Sequence, residues 1–218
     1  MMDALELPKP KEHVGSMALP DYVHPQLVRR VYILVGMQLG ATTLTAWGLG
    51  PLWVSPYQAL SASLLATVLS LAMVCAFASV QGRHPWNLLA FLGITATQSV
   101  GVSALCALHD PHVVIACAGV ATALFGCLSF GTWILGRPPG DVEALALSML
   151  LVAGFLGFLL PMTQPSVIGM LGVMAMVLFV VHDTGTLRDL TPDDALDAAL
   201  QLYLDVLNLF VCLMATTE

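Results

Sequence analysis

Apolar residues fill this chain in long, nearly unbroken runs, and polar residues gather in the short segments between them. Each run is close to the roughly 20 residues that cross the hydrocarbon core of a bilayer as a helix. The seven runs cover 27–49, 59–80, 86–108, 113–135, 142–160, 166–183 and 195–214. Because lipid offers no hydrogen-bond partners, each run must satisfy its own backbone groups, as a helix does. The pattern predicts an all-α integral membrane protein, a bundle of seven transmembrane helices.

Short segments rich in proline, glycine and polar residues separate the runs and predict tight turns. They are GP at 50–51, GRHP at 82–85, HDPH at 109–112, RPPG at 137–140 and PMTQP at 161–165. None is long enough to hold a soluble domain, so we predict a single transmembrane domain over 27–218. Residues 1–26 contain proline and charge but no apolar stretch, which predicts a flexible cytoplasmic tail rather than a signal peptide.

The composition also fits a lipid environment. Hydrophobic residues make up 58% of the chain and charged residues 10%, whereas about a quarter of a soluble domain is charged. The lipid bilayer is therefore the first predicted partner. The net charge of −7, without a basic cluster, excludes nucleic acid as a partner. The five cysteines lie inside apolar runs, which favours free thiols, with a disulfide between Cys106 and Cys117 as the alternative.

The basic residues predict the orientation in the membrane. They are Lys9, Lys11, Arg29, Arg30, Arg83, Arg137 and Arg188. The first four precede or open the first run, and the other three lie in the second, fourth and sixth turns between runs. In a seven-helix protein these segments are all on the same side of the membrane. By the positive-inside rule that side is cytoplasmic, which places the N-terminus in the cytoplasm and the C-terminus on the opposite side. This orientation is the reverse of a G-protein-coupled receptor.

Two acids, Asp183 and Asp205, lie at membrane depth, where ionisable groups are costly and mark functional sites. They belong to the last two predicted helices, and a tight hairpin would bring them together in the cytoplasmic half. Two close carboxylates cannot both stay ionised cheaply, so they would share a proton. A hard cation such as Ca²⁺ prefers oxygen ligands, but two acids make only a weak calcium site, which suits permeation.

Helical spacing extends this candidate site, because Asp205 continues a polar stripe along the last run. The stripe consists of Asp194, Asp197, Gln201, Asp205 and Asn208, at steps of three and four residues. Such a stripe would line an ion path or form a hydrogen-bonded packing seam, and spacing does not decide between them. The acids of the preceding turn fit either a solvated loop or a vestibule that attracts cations.

Other polar and small residues in the runs predict helix packing rather than chemistry. The polar side chains over 95–103 predict interhelical hydrogen bonds, and Gly36 and Gly40 predict a close helix contact. The sequence contains no nucleophile–base pattern and no phosphate-binding glycine loop. We therefore do not expect an enzyme.

Four stretches of the sequence resemble the transmembrane Bax inhibitor motif family, in particular its lifeguard branch. LYLDVLNLF at 202–210 is similar to the family's Leu-Tyr-Leu-Asp-Ile-Ile-Asn-Leu-Phe, and HDT at 182–184 contains the start of its Asp-Thr-Gln motif. RRVY at 29–32 and HPWNL at 84–88 agree as well. Gly185 replaces the motif glutamine, which puts unchanged gating in question. The compact chain and the drifted motif also fit a homologue carried by a large DNA virus.

The resemblance implies a bundle with a central seventh helix and a pH-sensitive calcium leak that suppresses apoptosis. In bacterial members of the family a pair of aspartates forms a pH-sensing latch, and the matching residues here are Asp183 and Asp205. An arginine at the end of the second helix joins that latch, and its candidate here is Arg83, whose alternative role is a topology charge. The residues predicted to support the gate are Arg83, Gln201, Tyr203 and Asn208.

The predicted function is a pH-sensitive, calcium-permeable leak channel that lowers stored calcium, in the endoplasmic reticulum or Golgi, or else the plasma membrane. Calcium ions and protons are the predicted ligands, no cofactor is expected, and Bcl-2-type or other membrane proteins are the predicted partners. The alternative is a non-conducting membrane scaffold that regulates the trafficking or stability of partner membrane proteins. A hydrolase that uses the two aspartates is the least favoured interpretation.

Overall fold

The computed structural model describes residues 25–135 and 165–217, and these residues form six α-helices. The helices are α1 (Pro25–Leu49), α2 (Pro56–Val80), α3 (Trp86–Cys106), α4 (Pro111–Leu135), α5 (Pro165–Thr186) and α6 (Ala195–Ala215). Two short 3-10 turns, Gly50–Leu52 and Pro192–Asp194, precede α2 and α6. Neither described range contains a strand, and all five cysteines are free thiols.

Five of these helices, α2 to α6, are long and apolar enough to cross a membrane, so the chain is a multi-pass membrane protein. α1 is 25 residues long but is not among the five, since polar residues such as Gln38 and Thr42 interrupt its apolar stretch. Six of the seven predicted runs correspond to a helix. The predicted fifth span, 142–160, and nearly all of the predicted tail, 1–26, lie outside the described residues, so the count of seven stays a prediction.

The directions of α4, α5 and α6 follow from side-chain contacts near their ends. Oγ of Ser129, late in α4, lies 3.4 Å from Oγ1 of Thr184, late in α5, so these two helices run parallel. α5 and α6 run antiparallel, because Gly169 near the start of α5 packs against Thr216, which follows α6. The last residue of α4 and the first residue of α5 therefore lie at opposite ends of the bundle.

α6 lies at the centre of the described helices. It packs against α1, α4 and α5 and touches α3, whereas α2 packs mainly against α3. Most residues of α6 are buried, and Leu202, Tyr203 and Leu209 are completely enclosed. Polar groups on the buried faces of α6, such as those of Tyr203 and Asp205, are thus shielded from both water and lipid, which positions this helix to hold a functional site.

Three segments meet at the end of the bundle that is predicted to be cytoplasmic. Arg30 of α1, His84 of the α2–α3 turn and Asp193 of the α5–α6 turn line one cavity of about 390 Å³. These segments thus share one end, as the positions of the basic residues predict. The assignment of that end to the cytoplasm stays a prediction of the positive-inside rule.

A glycine at the opposite end lets α5 and α6 approach closely. A Cβ atom on Gly169 would lie 2.9 Å from the backbone nitrogen of Thr216 and 3.0 Å from the carbonyl carbon of Ala215. Gly36 and Gly40, which were predicted to lie at a close helix contact, have no neighbour among the described residues within 4 Å of that position. Both residues lie on the exposed face of α1, so the predicted contact is not made with any of the described helices.

Replacing Gly169 with valine is expected to lower the free energy of unfolding by about 1–3 kcal/mol, because the new side chain must displace the backbone that follows α6. Gly126→Val is the matched control, since a Cβ atom on Gly126 in α4 meets no described residue within 4 Å. Thermal unfolding of both variants in the same detergent measures the difference. Equal melting temperatures would mean that α5 and α6 are not tightly packed at this end.

Candidate functional site: an aspartate pair between the last two helices

The start of α6 is fixed by a capping interaction between Thr191 and Asp194. Oδ2 of Asp194 accepts hydrogen bonds from the backbone nitrogen of Thr191 at 2.9 Å and from its hydroxyl at 2.8 Å. Pro192 begins the 3-10 turn that leads into α6 at Ala195, as the preference of proline for a first helical position predicts. The last predicted run begins at residue 195 and α6 begins at Ala195, in the register that places Asp205 against α5.

Replacing Asp194 with alanine is expected to lower the free energy of unfolding by about 1 kcal/mol at neutral pH, because the cap is lost. The hydrogen bonds from the backbone and the hydroxyl of Thr191 hold the pKa of Asp194 below its ordinary value of 3.8. This stabilisation is therefore complete above pH 3.8 and is lost as the pH falls through the lowered value. Unfolding curves at neutral and strongly acidic pH test this, with the neighbouring Asp193→Ala as control. If Asp194→Ala were still less stable than the wild type in strong acid, the prediction would be contradicted.

Asp183 and Asp205, the predicted pair, come together between α5 and α6. Their side chains are hydrogen-bonded to each other. Asp205 is 8% exposed and the Asp183 side chain 16% exposed, so water has little access to either. Nδ1 of His182 lies 3.0 Å from Oδ1 of Asp183, which places a titratable imidazole beside the pair.

A hydrogen bond between two carboxyl groups requires a proton, because an ionised carboxylate can only accept. Two carboxyl groups this close favour a shared proton over two negative charges. Oδ2 of Asp205 is buried and has no hydrogen-bond partner among the described residues, which leaves an oxygen ready for a further ligand. Within 25–135 and 165–217 no cluster of three or more His, Cys, Asp or Glu side chains is arranged to hold a metal ion. The pair thus offers a cation two carboxylates rather than a closed cage.

A polar cavity of about 450 Å³ lies at the same end of the bundle, between the α2–α3 turn and the start of α6. Asp193, Asp194 and Asp197 line it. Asp197 is also close enough to Asp183 for the two carboxylates to repel each other. Acidic groups therefore continue from this cavity to the buried pair, which is the arrangement that a cation-attracting vestibule requires.

The other predicted gate residues on this side do not surround the pair. Arg83 is exposed in the α2–α3 turn, and no ion pair joins it to either aspartate within the described ranges. Gln201 and Asn208 are exposed too, and Gln201 donates to Oδ2 of Asp197 at 3.3 Å. At 3.6 residues per turn both lie about 40–60° around α6 from Asp205 in the same direction, past the edge of the buried face. Their role in a gate stays a prediction.

Tyr203 faces the other side of α6, since two residues along a helix are about 200° apart. It is completely buried. Its hydroxyl lies 2.7 Å from Oγ1 of Thr42 in α1, and the same Thr42 oxygen lies 3.0 Å from Oγ of Ser99 in α3. These contacts, which we call the Tyr203 hub, join three helices. They confirm that polar residues of the third predicted span form interhelical hydrogen bonds.

Gln38, Thr42 and His182 were not predicted as parts of these contacts. Nε2 of Gln38 donates to Oγ1 of Thr95 at 2.9 Å. A glutamine in the middle of an apolar run was a usable signal, because a buried amide is costly unless it is bonded. Thr42 follows Gln38 by one helical turn and so shares its face. The contact of His182 with the adjacent carboxylate depends on side-chain rotamers, which spacing does not predict.

Comparison with known proteins extends over almost the whole chain. A family model described as inhibitor of apoptosis-promoting Bax1 matches residues 24–216, a range that includes the aspartate pair and the Tyr203 hub. The chain is 28% identical over 214 residues to Protein lifeguard 4 of Mus musculus, a match that covers 94% of this chain and 90% of the mouse protein. It is 27% identical over 206 residues to Protein LIFEGUARD 4 of Arabidopsis thaliana, covering 86% of this chain and 82% of the plant protein.

A viral relative matches over a shorter region. The chain is 30% identical over 154 residues to the Golgi anti-apoptotic protein of Vaccinia virus (strain Lister). This match covers 68% of the chain but 65% of the viral protein, so it spans less than two thirds of that relative's length. The mouse and plant matches extend over most of both partners.

Proposed function

Because this chain belongs to the family of inhibitors of apoptosis-promoting Bax1, we propose that it is an anti-apoptotic membrane protein that lets calcium leak through its helix bundle. The observation that carries the proposal is the hydrogen-bonded Asp183–Asp205 pair, held between α5 and α6 away from bulk water. An acid pair at membrane depth is costly, and such groups are characteristic of ion and proton pathways.

The pair is proposed to act as a gate because its proton count changes the force between α5 and α6. Two ionised carboxylates in contact repel strongly where water is scarce. A further proton changes the charge that faces His182, whose imidazole lies beside Asp183. On its opposite side α6 is fixed to α1 and α3 by the Tyr203 hub. We therefore propose that α5 moves when the proton count changes, while α6 stays in place.

Calcium is proposed to enter from the acidic vestibule. Asp193, Asp194 and Asp197 line that cavity and raise the local concentration of cations. Beyond them Oδ2 of Asp205, which has no hydrogen-bond partner in the described part of the chain, is a ready oxygen ligand. Calcium and the shared proton compete for the same oxygens, so lowering the pH weakens calcium binding at the pair. Two carboxylates hold Ca²⁺ only briefly, which suits passage rather than storage.

A location in the Golgi or endoplasmic reticulum membrane completes the proposal. The viral relative carries Golgi in its name, and both it and the matched family are named for the suppression of apoptosis. A leak in such a membrane lowers the calcium available for release during cell death. The same leak across the plasma membrane would not empty a store.

Reconstitution of the purified full-length protein into liposomes that enclose a calcium-sensitive dye tests the proposal. We expect calcium entry above that of protein-free liposomes, at a rate that changes with pH. In cells, expression is expected to lower stored calcium and to reduce death after an apoptotic stimulus. Protein that conducts no calcium at any pH, yet captures a defined membrane protein from cells, would replace the channel by the scaffold alternative.

A further inference from the structure

A third cavity, of about 170 Å³, lies between α1, α3, α4 and α6 on a different face of α6 from Asp205. Val206, Leu207 and Phe210 of α6 form its back wall, and all three are otherwise buried. Ala118 and Thr122 of α4 line it as well, and both are exposed. The cavity therefore reaches from the centre of the bundle to its surface.

The opening exists because α1 and α4 do not pack along each other. The extended contacts of α4 within the described residues are with α5 and α6. Towards the predicted cytoplasmic end the gap is closed by the rings of Tyr32 and Phe125, whose centroids are 6.1 Å apart. Beyond that contact Thr43 on α1 and Thr122 on α4 are exposed. The cavity thus opens sideways between α1 and α4, towards a surface of the described helices that is predicted to face lipid.

The polar groups in the wall are already hydrogen-bonded. Oγ1 of Thr43 donates to the carbonyl oxygen of Leu39 at 2.8 Å, and Oγ1 of Thr122 donates to that of Ala118 at 2.8 Å. Oγ1 of Thr42 donates to the carbonyl oxygen of Gln38 in its own helix at 2.9 Å and is also part of the Tyr203 hub. An occupant therefore needs no polar group to match this wall, and a polar occupant would lose hydrogen bonds to water on entry.

We propose that this cavity binds the acyl chain of a bilayer phospholipid, which enters sideways between α1 and α4. An apolar cavity of about 150 Å³ in another protein stays free of water and binds benzene, so a segment of hydrocarbon chain fits here. The lining residues belong to the later parts of α1, α3 and α6 and the earlier part of α4, which places the cavity nearer the predicted exoplasmic leaflet. The proposal is independent of calcium conduction.

Photolabelling from within the bilayer tests the site. The full-length protein is reconstituted in phosphatidylcholine vesicles that contain a phosphatidylcholine with a diazirine in its acyl chain, and labelled residues are mapped by mass spectrometry. Lipid around the protein is expected to label Ile115, which is 69% exposed. Label on Val206, Leu207 or Phe210 is expected only from a chain inside the cavity. A wild-type protein labelled at Ile115 but not on α6 would overturn the proposal.

Filling the cavity gives a second test. Ala118→Phe at the mouth and Ala121→Phe deeper inside are each expected to lower labelling of α6 by about tenfold, a loss of about 1.4 kcal/mol of binding. Ala116→Phe is the matched control, because Ala116 is an exposed residue of α4 that does not line the cavity. Retained labelling at Ile115 shows that a variant is still folded in the membrane. Label on α6 that stays at the wild-type level in both filled variants would contradict the site.

Discussion

Replacing Asp205 with asparagine is expected to abolish the pH response of calcium flux and to weaken calcium binding at the pair. The amide keeps the shape of the side chain but can neither exchange a proton with Asp183 nor carry charge. An interaction with a charged group contributes about 1.5–3 kcal/mol, so removing one carboxylate lowers calcium affinity by roughly ten- to one-hundredfold. Flux into dye-loaded liposomes across a range of pH and calcium concentration measures both effects.

The control for this experiment is Asp189→Asn, which makes the same charge change at an exposed residue of the α5–α6 turn. It is expected to leave the pH response intact. A flat pH profile in both variants would indicate a general effect of charge near the vestibule. An Asp205→Asn protein whose flux still follows pH would assign the response to another titratable group. His182 is the first candidate, because it is adjacent to Asp183 in the sequence and its Nδ1 contacts the Asp183 carboxyl group.

Replacing Tyr203 with alanine is expected to cause the largest loss of stability, about 3–5 kcal/mol, because a completely buried ring leaves a cavity at the centre of the bundle. Tyr203→Phe separates the ring from the hydroxyl. Loss of the hydroxyl removes its contacts with Thr42 and Ser99 and is expected to cost about 1 kcal/mol. Unfolding of both variants in the same micelles by heat or denaturant measures the two contributions.

The matched control is Tyr57→Ala on α2, where the side chain is 86% exposed and its loss is expected to change stability little. If Tyr203→Phe unfolds like the wild type, the hub does not hold α6. If Tyr203→Ala is no less stable than Tyr57→Ala, the central position of α6 is itself in error. Either result would remove the reason to propose α5 as the moving helix.

The helices were predictable from the sequence because lipid imposes one simple requirement. A segment must be apolar and about 20 residues long to cross the bilayer as a helix. The run at 195–214 meets this requirement and corresponds to the helix Ala195–Ala215. The start of that helix was predictable from local chemistry, since Thr191 and Asp194 bond each other across one turn. The meeting of Asp183 and Asp205 followed from the short hairpin between their helices.

The neighbours of each helix face were not predictable, because they depend on how the helices pack. The spacing that aligned Gln201 and Asn208 with Asp205 does not reveal where the contact with α5 ends, and a rotation of about 40–60° leaves both residues exposed. Gly36 and Gly40 have the spacing of a close contact, yet among the described residues they have no close neighbour, whereas Gly169 does. Small residues permit close packing, but the partner helix decides where it happens.

The Tyr203 hub is a second case in which the packing partners of a helix could not be predicted. Polar residues in the third run indicated interhelical hydrogen bonds, but the bonds join residues far apart in the sequence, such as Thr42 and Tyr203. Their pairing requires α6 to lie between α1 and the other helices, which no local pattern specifies. The hub and the aspartate pair therefore appear on opposite faces of α6 only once the packing is known.

The most direct test of the central claim is the titration of the Asp183 and Asp205 carboxyl carbons by nuclear magnetic resonance, in lipid-reconstituted protein with ¹³C-labelled aspartate. Single asparagine variants assign the two signals. A shared proton predicts that both signals change over the same pH values in coupled steps, and that replacing either residue leaves the other with one simple step. Two independent titrations, each unaffected by replacement of the other residue, would contradict the claim.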